Sequence, residues 1–221
     1  MIDYINYGKK IQKEPQNTPN IKIPNQLGWM EYKLNTQEMD YIWKCINMKQ
    51  EKMNKFLAGN IDSSFVLEDK NDWFFNNTLT YLINACEKSF GPQAGKVPVR
   101  GDNIDSLSYK LSTWWVNYQK QYEFNPSHNH TGVYSFVIWL KIPYEWEEQN
   151  KDNIANSKVK GAFTFQYINI LGEMVSTSYK LGKKYEGTML FFPSGLHHSV
   201  YPFYNCEEDR ISVSGNILLK V

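Results

Sequence analysis

The chain has 221 residues, 42% of them hydrophobic and 15% aromatic, enough to bury a sizeable core and too much packing material for a disordered protein. Basic and acidic side chains nearly balance, 24 against 23, and no long basic run occurs. That argues against nucleic-acid binding driven by phosphate neutralisation. Cys45, Cys86 and Cys206 are far apart and form no CxxC pair, so they are expected to be reduced thiols. The first residues lack a basic stretch followed by an apolar one, and Val133 to Leu140, the longest apolar run, falls far short of the ~20 residues a bilayer demands. The expectation is a cytoplasmic protein with no membrane partner, folded as a single domain over 1–221.

In chain order, residues 1 to about 33 are polar and punctuated by Pro15, Pro19 and Pro24, an arm with one short strand around Ile21–Ile23. Asn35 with Glu38 three residues on makes a helix-capping pair. Behind it Met39, Ile42, Trp43, Ile46, Met53, Phe56 and Leu57 recur at helical spacing, and Gly59 closes the segment. A second helix is expected after Asp69, with Phe75, Leu79, Leu82, Ile83, Cys86 and Phe90 on one stripe and Gly91-Pro92 as its stop.

From about residue 106 the texture becomes β. Short runs rich in Val, Ile, Tyr, Phe, Trp and Thr span 108–118, 133–142, 162–170, 174–180, 188–192, 199–204 and 211–221, separated by Pro, Gly, Asn and Asp turns. The acidic stretch from Glu145 to Glu148 reads as a solvated loop. Seven or more such strands indicate a sandwich or jelly roll. With the helices, the expected class is α+β, mainly β: 1–105 an N-terminal arm and buttressing helices, 106–221 a jelly-roll core.

Histidine carries the strongest chemical signal. The four histidines sit in two pairs, His128 with His130 and His197 with His198. Residues two apart on a strand share a face, so His128 and His130 make a bidentate metal site. A third His is expected from the His197–His198 pair some seventy residues later. Three such ligands leave coordination positions open, as non-haem Fe(II) oxygenases require. Only two of the 24 basic residues are Arg, Arg100 and Arg210. Arg210, Ser212, Ser214 and Asn216 alternate with Ile211 and Val213 along the last strand, so one face lines a cavity. A guanidinium there offers a planar fork for a carboxylate, with the Ser212 hydroxyl beside it. The competing reading is an edge strand with Arg210 paired to Glu207 or Asp209.

The run Trp115-x-Asn117, Asn125, His128-x-His130, Ser135, Pro193-x-x-Leu196-x-His198-x-Val200, Arg210-x-Ser212 and Asn216 resembles the Fe(II)/2-oxoglutarate-dependent oxygenase superfamily. More narrowly, it is similar to a group of oxygenases common in marine phages and bacteria. The resemblance covers residues 108 to 221, about half the chain. It implies a double-stranded β-helix (jelly roll) with helices packed on one sheet and Fe(II) and 2-oxoglutarate as cofactors. It also implies a hydroxylase that couples oxidative decarboxylation of 2-oxoglutarate to C–H oxidation, with molecular oxygen and a small-molecule or peptide substrate as partners. By the family's pattern the triad binds iron and Arg210 with Ser212 holds the distal carboxylate, with Asn117 and Asn216 as supporting or substrate contacts. A phage-encoded copy would act in the host cytoplasm.

Two positions depart from that pattern. The usual Asp or Glu two residues after the first His is His130 here. Three readings compete: a three-His site of His128, His130 and His198; a site whose first ligand is His130, with Gly132 leaving room for halide; and a degenerate site. The three-His site is favoured, because His128 and His130 should face the same way. Phe136 stands where a Gly is expected and is a candidate for reshaping the pocket wall, as are Trp114 and Trp115. Rival classes are a cupin-like metalloenzyme that does not use 2-oxoglutarate and a non-catalytic jelly-roll binding module. Prime substrate and oligomeric state are not legible.

Overall fold

The computed structural model describes residues 28–48, 51–53, 57–91 and 108–220; the strand expected at Ile21–Ile23 lies outside them. The chain opens with β1 (Met30–Lys33) and α1 (Thr36–Ile46). The capping pair is reciprocal: Glu38 N–H donates to Asn35 Oδ1 at 3.0 Å and Asn35 N–H to Glu38 Oε2 at 2.8 Å. The helix stops at Ile46 rather than running towards Leu57. Between Ile46 and Met53 only Met48 is apolar, so the stripe lapses, and the backbone finds strand partners instead. Met53 N–H donates to Ser64 O at 2.9 Å, and Val66 N–H to Glu51 O at 3.0 Å, against β2 (Ser63–Val66).

The second helix matches expectation but starts irregularly. A 3-10 turn at Lys70–Asp72 and a π-helical turn at Phe75–Leu79 lead into α2 (Thr80–Phe90). The Asp69 carboxylate accepts both the Phe74 and Phe75 N–H groups at 2.9 Å, satisfying donors the first turn leaves open. Gly91, at φ 77°, ends the helix in a conformation that costs glycine little.

The remaining strands are β3 (Ser108–Gln119), β4 (Asn125–His128), β5 (Tyr134–Lys141), β6 (Phe163–Ile168), β7 (Met174–Tyr179), β8 (Thr188–Pro193), β9 (His197–Val200) and β10 (Arg210–Lys220), with a short helix α3 (Trp146–Gln149) between β5 and β6. The acidic stretch therefore contributes to a helical turn rather than a plain loop. β9 begins two residues before the expected strand and ends four before it. The strands form two antiparallel sheets, a six-stranded one ordered β1-β8-β5-β10-β3-β2 and a four-stranded one ordered β4-β9-β6-β7. This is the jelly roll expected. β10 lies at the centre of its sheet, paired to both β5 and β3, which removes the edge-strand reading.

Strand alternation sorts the side chains into two cores. On the outer face of the six-stranded sheet Trp114, Val116, Ile138, Met189 and Val213 pack with Ile42, Leu79, Ile83 and Cys86 of the helical segments. Between the sheets, Val137, Trp139, Phe163, Phe165, Leu190, Phe192 and Phe203 form a second core. The even-numbered residues of β10 face this inter-sheet side, where one end stays open.

Candidate functional site

His128 and His198 are opposed residues of β4 and β9, so the antiparallel register itself sets their imidazoles side by side, 4.3 Å between ring centroids. His130 lies beyond the end of β4, not on the strand, so the shared-face argument for it is corrected. The connecting loop brings it in instead. Its N–H donates to Ser194 O at 2.9 Å, and Ser194 Oγ donates back to Gly132 O at 2.6 Å. The His130 ring then sits 5.0 Å from both His128 and His198. One ring nitrogen from each of the three falls within 4.8 Å of the others, a spacing that suits three ligands of one ion.

Two of the rings are aimed by backbone carbonyls. His128 Nδ1 lies 2.8 Å from Pro126 O and His198 Nδ1 lies 2.9 Å from Leu196 O. A carbonyl can only accept, so each Nδ1 carries the proton and each Nε2 presents a bare lone pair. Burial keeps the rings uncharged. Desolvation, with neighbouring imidazoles adding repulsion, pushes His198 down to about 3 and His130 down to about 4, and lowers His128 as well. Phe163 stacks on His198 at 5.5 Å, Phe192 meets its edge at 5.0 Å, and Trp115 meets His130 at 6.0 Å. His197 is exposed, its ring nitrogen 3.4 Å from Asn129 Nδ2, and it lies outside the cluster.

The same cavity, about 670 Å³ with its open mouth, is lined by the three histidines and by Arg210, Ser212 and Asn117. Arg210 is only 1% exposed, yet among the described residues no carboxylate answers it. Its guanidinium donates to the Tyr144 hydroxyl, to Gln119 Oε1 at 2.5 Å, and to the carbonyls of Gly161 and Tyr201 at 3.3 and 3.4 Å. Every partner is neutral, and Glu207 and Asp209 are not among them. A buried cation left without a counter-charge at a cavity wall is a site for an anion. Asn117, nearly buried, accepts from Ser64 Oγ at 2.6 Å.

Other expectations resolve individually. The Cβ position of Gly132, at φ +112°, faces Ile217 O at 2.8 Å, so its missing side chain opens no space at the histidines. Phe136 packs on the helix side, its ring 6.1 Å from that of Phe74, and also contributes to the cavity lining. Trp114 stacks on Phe74 at 5.3 Å, leaving Trp115 as the pocket wall. Asn216 accepts from Ser135 Oγ at 2.8 Å and is not among the lining residues. Three contributors escaped the sequence reading: Gln119, Tyr144 and the segment from Leu57 to Ile61. Gln119 continues the alternation of Trp115 and Asn117 and was legible; Tyr144 and the 57–61 segment carry no local signal.

A family described as "Putative 2OG-Fe(II) oxygenase" matches residues 113–216, the stretch that holds the three histidines and Arg210. Over that stretch, a little under half of the chain, the sequence matches the 2OG-Fe(II) oxygenase family. No curated protein matches the sequence. Among solved structures, a 2OG-Fe(II) oxygenase family oxidoreductase from Burkholderia pseudomallei aligns at 12% identity over 83% of this chain and 80% of its own, with a TM-score of 0.51. A prolyl-4-hydroxylase from Pseudomonas putida aligns at 12% identity over 88% and 94%, with a TM-score of 0.50. A Trichoplax adhaerens prolyl hydroxylase, in complex with a hypoxia-inducible-factor peptide, aligns at 12% identity over 88% and 84%, with a TM-score of 0.50. These likenesses are of fold. The match makes the chain an oxygenase, and Fe(II) and 2-oxoglutarate are the cofactors of the matched family. Three neutral imidazoles, two of them with aimed lone pairs, fit the metal, and Arg210 at the cavity wall fits a dicarboxylate. Among the described residues no helix is long and apolar enough to cross a membrane.

Proposed function

We propose that this oxygenase is a hydroxylase that couples oxidative decarboxylation of 2-oxoglutarate to oxidation of a substrate C–H bond. His128, His130 and His198 hold the iron, Arg210 and Ser212 hold the distal carboxylate of 2-oxoglutarate, and Asn117 lines the pocket beside them. The observation that carries this reading is Arg210, a buried cation with four neutral partners opening onto the cavity of the three histidines.

When bound, iron with 2-oxoglutarate supplies the oxidising chemistry. The chain's own share is placement. The Pro126 and Leu196 carbonyls hold two imidazoles in one tautomer and orientation, so the ligand set is pre-organised. Tyr144 and Gln119 fix the guanidinium plane while leaving its charge unspent, and Ser212 offers a hydroxyl on the same strand face. Phe163, Phe192 and Trp115 keep water from the imidazoles.

A cupin-like enzyme without 2-oxoglutarate explains His130 but leaves Arg210 without purpose. The test is an anaerobic titration of the Fe(II)-loaded protein with 2-oxoglutarate, followed through the weak visible charge-transfer band of the chelate. The band is expected to appear, and Arg210→Ala is expected to shift its half-saturation to higher 2-oxoglutarate. Iron binding with no band would overturn the 2-oxoglutarate assignment; no iron binding would overturn the histidine site.

A further inference from the structure

Between the sheets, aromatic rings lie directly behind the histidines. Phe163 stacks on His198 at 5.5 Å and Phe165 meets it at 6.3 Å. Each of these phenyl rings also touches Tyr179, at 6.4 and 6.2 Å, and Phe165 lies 4.7 Å from Trp29. Two parallel bridges, one phenyl ring each, therefore join a metal-facing imidazole to a phenol. The reading above uses Phe163 only to keep water out and gives Phe165, Tyr179 and Trp29 no part.

The far end of these bridges is arranged for proton transfer. Trp29 Nε1 donates to the Tyr179 hydroxyl at 2.7 Å, and that hydroxyl donates to Glu31 Oε1 at 2.8 Å. Because the phenol oxygen already accepts from the indole, its own hydrogen stays turned to Glu31. Tyr179 is buried and Glu31, on β1, is exposed, so the proton of an interior phenol points at a carboxylate in contact with water. Loss of one electron makes a phenol strongly acidic, and a hydrogen-bonded base that takes the proton is what makes that loss feasible. Tyr32, Tyr41 and Tyr109 also donate to carboxylates, but these three pack with the helix-side core instead.

We propose that Tyr179 is an outlet for oxidising equivalents from the iron site, protecting the cavity when oxygen and 2-oxoglutarate react with no prime substrate to oxidise. One electron passes from Tyr179 through Phe163 or Phe165 to the oxidised iron. The Tyr179 O–H bond breaks, its proton forms a new O–H bond on the Glu31 carboxylate, and a neutral tyrosyl radical remains. A one-electron reductant from solution, of the ascorbate or thiol class, then returns an electron to the phenoxyl oxygen, and the proton moves back from Glu31. Two electrons and two solvent protons carry the unspent oxygen atom to water; Tyr179 delivers the first electron and the solution reductant the second. The inference rests on the oxygenase reading, and its test separates the two.

The experiment exposes protein loaded with Fe(II) and 2-oxoglutarate to oxygen without prime substrate, as wild type, Tyr179→Phe, Glu31→Gln and the distant control Tyr109→Phe. The charge-transfer band is recorded before oxygen is added and succinate is measured afterwards on every sample. Freeze-quenched samples are read by electron paramagnetic resonance, and sites of added oxygen by peptide mass spectrometry. The wild type is expected to give a tyrosyl radical signal that narrows when its tyrosines are ring-deuterated. Tyr179→Phe keeps the ring and should lose the signal while still forming succinate, with oxygen added instead to the cavity-wall Trp115. Glu31→Gln, which offers an acceptor but no base, should lose most of the signal, and Tyr109→Phe should keep it. No radical in a wild type that shows the band, a signal that survives Tyr179→Phe or is indifferent to Glu31→Gln, or a signal lost only together with succinate would overturn the proposal. Absence of the band in the wild type would instead bring down the oxygenase reading, and this inference with it.

Discussion

On the helix side of the six-stranded sheet, Glu38 is 4% exposed and every bond it needs is supplied nearby. It caps its own helix through Asn35 N–H, and it accepts from the hydroxyls of Tyr32, at 3.0 Å, and Thr78, at 2.8 Å. On the cavity side, Arg210 is buried as deeply but meets only neutral oxygens. The partners of both ions are neutral, but Glu38 is enclosed by the helix-side contacts it serves, whereas Arg210 opens onto the cavity. There it stands with three imidazoles whose spacing suits a metal. The difference teaches where to look for function: buried charges that border a cavity.

The sharpest break between the two sides comes from removing a ligand. His198→Ala should lower iron affinity by more than the roughly 10- to 100-fold that loss of a mere supporting partner costs. Its thermal unfolding temperature without metal should fall, since a buried ring packed on Phe163 and Phe192 is lost. Equilibrium dialysis with Fe(II) and a melting curve read the two separately. On the helix side stability alone should respond. Glu38→Ala strands the Tyr32, Thr78 and Asn35 donors and should lower stability by about 1–3 kcal/mol, with 2-oxoglutarate affinity of the folded protein unchanged; urea titration and the charge-transfer band measure both.

A further contrast is in pH. His130 and His198 titrate near 4 and 3 in the folded protein, below the 6.5 of an exposed imidazole. As pH falls below about 6.5 the unfolded chain takes up protons that the folded one refuses. Stability of the metal-free protein should therefore decline from pH 6.5 to 4 and stay flat, as far as these groups are concerned, above 6.5. The same low values mean that protons compete weakly with metal, so iron binding should persist to pH 5. Replacing His130 by Gln should flatten part of the stability slope, as read from melting temperature against pH.

Much of the cavity side was legible because strand alternation is a strong code. Trp115, Asn117 and Gln119 on β3, and Arg210, Ser212 and Ser214 on β10, face one way at period two, while Val213 and Val116 face the other. His128 and His198 converge because two strands seventy residues apart pair in register, which clustering of histidines anticipated. The argument for His130 reached the right place through wrong geometry: it assumed a strand where a loop held by Ser194 does the positioning. The helix expected as far as Leu57 was misread because Met53, Phe56 and Leu57 happen to continue the spacing. Their intervening polar residues let Glu51–Met53 pair with β2 instead. That error hid the 57–61 wall and Gly59, and Tyr144 had no pattern to announce it.

The central claim is that the charge of Arg210 is kept for a ligand and not for the fold. Arg210→Met tests it most directly, with stability and 2-oxoglutarate affinity measured on one preparation. The account predicts a melting temperature, without ligand, equal to or above that of the wild type, since an uncompensated buried cation is replaced by an apolar chain. It predicts 2-oxoglutarate binding weakened by about 2–3 kcal/mol, the scale of hydrogen bonds to charged groups. A variant that melts lower while binding 2-oxoglutarate normally would show Arg210 to be a structural residue and contradict the account.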